Sequence, residues 1–353
     1  MQNRLGSPVL GILILAIVLV AIAIGVAAVL RIDLWGDRGS GLPSRFSYDL
    51  EAFQKTDPAQ IGYRETGRIS VKMLEPRNVA VGPDDKIYVA GDHAVHIFAP
   101  DGQRVRELTL SQAPRAVAIG GPHHKTPGRT YVAMKDHVEV FDAEGNREAV
   151  WESLDERALL TSIAAAENDV YVANAGGRVV LRYDVQGKLI NRIGDRDDLR
   201  HIPGFIIPSP FFAVAVAPDG LLRVTNPGGH RVEAYTPEGD LEQHWGKASI
   251  EIQGFCGCCN PVGIAILPNG NVVTAEKGIP RVKVYDSEGE FVCVVAGPES
   301  LLPTRSANEE TRTEHKLKVV ALAVDGHGRV LILDPGSRSV RIFEVKQETN
   351  RKG

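Results

Sequence analysis

One pattern recurs six times along the chain: a short apolar strand, a turn of Pro, Asp, Asn and Gly, a second apolar strand and a loop of small residues, then a third strand ending in an aromatic and an acidic-Gly turn. The copies begin at Asn78, Ala116, Ser162, Ala213, Gly263 and Ala321, and the fifth reads GIAILPNGNVVTAEKGIPRVKVYDSEGEFVCVVAG. Equivalent strands start roughly 40 to 60 residues apart, the period of propeller blades of four strands each. Tight hairpins need positive φ, which Pro-Asp-Gly at 100–102 and Pro-Glu-Gly at 237–239 supply. Strand-like alternation is visible in Val282 and Val284 against Lys283. The high Gly and Pro content, 36 and 21 residues, with only three Met, fits a turn-dense β protein better than a helical bundle.

The sixth copy ends after its third strand at Glu344, which would leave an unpaired sheet edge in water. The stretch RETGRISVKML from Arg64 has strand-like alternation and is expected to supply the missing outer strand. The expected fold class is therefore all-β: a six-bladed β-propeller of four-stranded blades over residues 61–346, with 61–75 closing the last blade. One N-terminal transmembrane helix is expected to precede it.

That helix is expected because Pro8 to Leu30 carries no charge. As a helix the stretch would rise roughly 34 Å at 1.5 Å per residue, enough to cross a hydrocarbon core. It is longer than the apolar region of a cleavable signal, so residues 1–31 read as a short tail and a retained anchor. Residues 32–60 then form a linker and 347–353 a polar tail. Arg4 precedes the span, while Arg31, Arg38 and Arg45 follow it among Asp33 and Asp37. A short N-terminal tail before a large domain is the signal-anchor arrangement. The expectation is a single-pass protein with its propeller on the extracytoplasmic side, periplasmic or extracellular. A net charge of -4 gives no electrostatic reason to expect nucleic acid.

The repeat units resemble the NHL-repeat family of six-bladed β-propellers, over roughly Gly62 to Val345. The resemblance implies the fold; family members include binding modules, lyases, hydrolases and scaffolds. Amidating lyases of this kind hold zinc with histidines near the central channel, but the matching inner-strand positions here are Asn78, Ala116, Ser162, Ala213 and Gly263. Lactonase-like propellers hold calcium with inward acids, whereas Asp92, Glu276 and Asp334 fall in outer turns of the repeat.

In a four-stranded blade, the loops leading into the innermost strand and the loops joining the second and third strands share one face. That face should carry Asp92, His93, Asp136, His137, Asn174, Asn226, His230, Glu276, Lys277 and Asp334. Arg77, Arg115, Asn260 and the long loops 195–211, 246–261 and 297–319 join them. This is the expected face for a ligand or partner. Each of these residues also has a purely local reading as a capped or solvated turn residue.

Three of the four cysteines sit in FCGCCNP, residues 255–261, in the loop leading into the fifth blade. Cys256, Cys258 and Cys259 could converge on copper, zinc or an iron-sulfur cluster, because thiolates suit these ions, with His201, His315 or Glu276 as a further donor. They could equally form a disulfide in an oxidising compartment, or exchange electrons as thiols. Cys293 lies mid-strand between valines and reads as a small buried hydrophobe. His123 and His124, in GPHHKTPG, read as a solvated loop on the opposite face. No nucleophile elbow, phosphate loop or dinucleotide-binding glycine motif is present.

The function expected from sequence is a membrane-anchored binding or assembly module, more a platform than an enzyme, with a protein partner in a membrane-associated complex or a small ligand. The alternatives are a redox or metal protein using the cysteine cluster and, third, a lactonase- or lyase-like enzyme.

Overall fold

A computed structural model describes residues 12–13, 15–21, 55–302 and 321–346. The chain divides into two compact units, residues 1–50 and 51–353. In the first, residues 12–13 and 15–21 are helical, and Ile12, Leu15, Ile17 and Leu19 are exposed. The rest of the expected span 8–30 lies outside the described residues, as do the polar tail 347–353 and most of the linker. Among the described residues no helix is long and apolar enough to cross a membrane.

The second unit holds six four-stranded antiparallel sheets. Five are simple meanders in chain order, at 76–109, 116–150, 160–193, 214–245 and 263–296. The sixth takes three strands from 321–345, and its outer strand is Tyr63–Ser70 from the start of the unit. That strand pairs with Ser339–Val345, from Tyr63 opposite Val345 to Ser70 opposite Ser339. The edge that would otherwise face water is thus paired, and the two ends of the ring are held in one sheet.

Six buried apolar clusters weld the blades, one at each seam. Val79, Val89 and Phe98 of the first blade pack against Leu331, Val340 and Ile342 of the sixth, which closes the circle. Tyr131, Val140 and Trp151 meet Ile163, Val172 and Leu181 at the seam of the second and third blades. Burying a Leu, Val or Phe side chain is worth about 1.5–3 kcal/mol, so each seam is a core in its own right. The hairpins between third and outer strands turn on glycines at positive φ, Gly102 at 87° and Gly239 at 92°, as the two turn motifs require.

Alternation misleads in the third strands, where Glu139, Glu233 and Arg341 are buried as well as Lys283. Lys283 stands between Val282 and Val284 where a polar side chain would face solvent, yet it is fully buried. Every residue of Val282–Tyr285 is buried, as is every residue of Val272–Ala275. A blade is covered by a neighbour on each face, so its middle strands have no wet side, and a charge there must find partners inside the protein.

Candidate functional site

The innermost strands of the six blades line a central channel with a cavity of about 630 Å³. Its wall is mostly small and apolar: Ala80, Ala118, Ala164, Ala215, Ala265 and Ala323 stand at matching positions around it. Neighbouring inner strands are stitched across seams by side chains. The Asn78 amide oxygen accepts from the Val117 N–H at 3.1 Å, and the Thr161 hydroxyl donates to the Phe212 carbonyl at 2.7 Å.

At the end where the inner strands begin, the lining turns polar and aromatic with Glu75, Arg77, Arg115 and Phe211. Arg77 and Arg115 occupy the same place in the first two blades, each just before or within the start of the inner strand. Glu75 pairs with Arg77 at 3.0 Å. Among the described residues no carboxylate pairs with the half-buried Arg115. Burial, and then the charge of Arg77, lower the pKa of its guanidinium, so two cations share this rim without full neutralisation. Lys277 adds a third: its ammonium lies 4.6 Å from the centre of the Phe211 ring and donates to the Ser209 hydroxyl at 3.0 Å.

Most of the acids and amides of this face are spent on their own loops. The Asp92 carboxylate accepts from the backbone of Leu74 at 2.8 Å and Glu75 at 2.7 Å, pinning the approach to the first blade. Asn174 accepts from Leu159 at 3.0 Å, and Asn226 from Ile206 at 2.9 Å, doing the same for the third and fourth. Asp334 accepts from Gly336 and Ser337 within its own turn. Asp136 pairs with the adjacent His137 at 2.8 Å, while His93 is exposed. A side chain at the end of the second strand is thus a recurrent anchor for the incoming loop, which accounts for these positions without a ligand.

The fifth blade carries the most elaborate version. Glu276 is fully buried and accepts from the Cys256 N–H at 2.8 Å, from Arg281 at 3.1 Å and from the Lys283 ammonium at 2.8 Å. Lys283 also donates to the carbonyls of Ile252 at 2.9 Å and Gly254 at 2.6 Å. Burial lowers its pKa to about 8, against the pull of Glu276 in the other direction. Asn260, also buried, accepts from Lys277 N–H at 2.8 Å and donates to the carbonyls of Lys277 and Cys256. The ring of His230 bonds the Gly257 carbonyl at 2.5 Å. Loop 246–261 is therefore held by the charges of Glu276, Arg281 and Lys283, by the amide of Asn260 and by the imidazole of His230.

Cys258 and Cys259 point their sulfurs at each other, 2.8 Å apart, with Cys258 exposed and Cys259 buried. Cys256 is tied to Glu276 through its backbone instead. Among the described residues no three His, Cys, Asp or Glu side chains are grouped so as to hold a metal ion, and His315 lies outside them. Cys293 is half-buried against the core of the fifth and sixth blades. His124 departs from the solvated-loop expectation: it is buried, bonded through Nδ1 to Thr126 at 3.0 Å and facing the Tyr131 hydroxyl at 3.3 Å, while His123 is exposed. The turn folds back over the blade, and one imidazole fills the gap.

Sequence reading missed Lys283, Arg281, Ser209 and Phe211. The first two sit in a charged third strand, but Glu139, Glu233 and Arg341 hold the place of Lys283 in other blades, so charge alone did not single it out. For the last two the only signal was the length of loop 195–211.

No protein-family model matches the chain, so the resemblance to NHL-repeat proteins rests on the repeat residues alone. No curated protein matches it either. Among solved structures the chain is similar to a streptogramin B lyase, with a TM-score of 0.54 and 10% identity over 82% of this chain and 100% of that one. It is similar to virginiamycin B lyase from Staphylococcus aureus, at 0.54 and 10% over 80% and 100%. A Bacteroides thetaiotaomicron protein of unknown function gives 0.56 and 15% over 82% and 74%. At such identities the likeness is one of fold, a β-propeller, and carries no chemistry with it.

Proposed function

We propose that this chain is a membrane-tethered, extracytoplasmic binding module that takes an anionic amphiphile in the mouth of its central channel. The observation that carries this reading is the pair Arg77 and Arg115 beside a cavity of about 630 Å³ whose walls are otherwise largely apolar. A volume of a few hundred cubic ångströms suits a small molecule, and a few convergent polar groups at one end fix its orientation. Guanidinium groups grip carboxylate or phosphate through paired hydrogen bonds, and partial desolvation strengthens that grip. The alkyl part of the ligand then covers the alanine and valine wall. A closed ring with pinned loops supplies the rigid frame such a site needs, with no requirement for covalent chemistry.

Calorimetric titration of decanoate and of decanol into the full chain in detergent tests the site. Decanoate should bind the more tightly, and Arg115→Met should weaken it about tenfold, near 1.4 kcal/mol. Equal affinity for the acid and the alcohol, or no effect of the substitution, would defeat the reading. The tether rests on the uncharged stretch 8–30. Extraction of membranes with alkaline carbonate should leave the full chain in the pellet and release a chain beginning at residue 51. Release of both would remove the tether from the proposal.

A further inference from the structure

We propose that Cys258 and Cys259 form a thiol–disulfide exchange site whose substrate is an organic disulfide. The two sulfurs already face each other at 2.8 Å, and the sites of the pair differ in the way exchange requires. Cys258 is exposed and can be reached by a partner disulfide; Cys259 is buried, with the Cys258 sulfur beside its own. The loop is fixed by Asn260 to the Lys277 turn, by the Cys256 N–H to Glu276, and by Gly257 to His230. The sulfurs are therefore presented by a rigid frame rather than a free loop.

The surroundings favour an anion on the inner sulfur. Burial alone would raise the Cys259 thiol, but hydrogen bonds from Cys258 and Ser209 and the nearby Lys277 charge outweigh it and lower its pKa. Cys258 moves the other way, chiefly through the hydrogen bond that it shares with Cys259. The thiolate is the attacking species in exchange.

The steps balance as follows. The Cys258 thiol loses its proton to solvent and attacks one sulfur of the partner disulfide, forming a mixed disulfide and expelling one partner thiolate. The Cys259 thiolate then attacks the Cys258 sulfur, forming the Cys258–Cys259 bond and expelling the second partner thiolate. Both expelled thiolates take up the protons that the two cysteines gave up. The protein dithiol is oxidised by two electrons, and the organic disulfide is reduced to two thiols. Adjacent Cα atoms stand about 3.8 Å apart, short of the usual span across a disulfide of roughly 4.4–6.8 Å, so the product ring is strained and readily reopened by thiols. Such bonds belong to the labile, exchanging kind rather than the structural kind. Lys277 couples the pair to the channel mouth, since the same ammonium that faces Cys259 lies over Phe211.

The test uses the full chain in detergent, reduced and freed of reductant, with oxidised glutathione as probe. Wild type should release two molecules of glutathione per chain, and peptide mapping should place a bond between Cys258 and Cys259, lighter by two hydrogens. Cys259→Ser should stop halfway, with glutathione retained on residue 258, and Lys277→Met should let that mixed disulfide accumulate in the otherwise native sequence. Wild type that retains glutathione, that bonds Cys256 instead, or that releases none would overturn the proposal. The mapping of wild type decides the matter even if a substituted chain fails to fold.

Discussion

Between the second and third blades fourteen apolar side chains are buried together, with Leu181 at the centre of the third strand. Between the fourth and fifth blades only six are, and the place equivalent to Leu181 is taken by Lys283, bonded to Glu276. The repeat is the same, but the loops differ. The third blade is approached by a short connection that a single amide, Asn174, holds at Leu159. The fifth is approached by loop 246–261, and the seam gives up hydrocarbon contact for three buried charges that reach into that loop at Ile250, Ile252, Gly254 and Cys256. Buried ion pairs seldom add stability over well-packed hydrocarbon. Their use here is positional: they set one long loop beside the channel mouth.

The contrast can be broken most forcefully at Glu276. Glu276→Gln leaves Lys283 and Arg281 buried without their counter-charge, and should cost about 3–5 kcal/mol in chemical denaturation. Asn174→Ala at the corresponding corner of the third blade should cost only about 1 kcal/mol. Similar losses at the two sites would mean that the seams are held alike.

A smaller effect comes from pH. The folded-state pKa of Lys283, about 8, lies below its ordinary value of 10.5. Between the two the unfolded chain holds a proton that the folded chain does not, so stability rises with pH across this window and is lowest below about 8. Burial raises Tyr235 and Tyr285 above the ordinary value of 10.0, and unfolded tyrosines ionise near that value, which opposes the gain at higher pH. From pH 8 to 10 the gain should be on the order of 2 kcal/mol, at about 1.4 kcal/mol per unit of pKa difference. Denaturation midpoints should climb over that range in wild type and stay flat in Lys283→Met. A midpoint that falls in both would contradict the assignment.

The fold was largely readable from residue order, because six copies of one hairpin grammar leave few ways to cover their faces. The truncated sixth copy and the strand-like segment after Arg64 even pointed to the place where the ring closes. The face carrying the loops was readable too, since blade geometry places Arg77, Arg115 and the cysteine loop at one end. What the individual polar residues do there was not. Asp92, Asn174 and Asn226 look alike as ligands or as loop anchors until backbone N–H groups are seen to meet them. Lys283 was missed because period-two alternation reports a wet face only when one exists, and a strand inside a blade has none. His124 was misread for a related reason: turn composition says nothing about which side chain folds back onto the sheet.

The central claim is that the rim of Arg77 and Arg115 is a binding site and not merely a charged edge. A crystal structure of the chain with decanoate tests it most directly. The account predicts the carboxylate between the two guanidinium groups, with the alkyl chain along the alanine wall of the channel. Decanoate seated elsewhere, with that rim and channel holding only water, would contradict it.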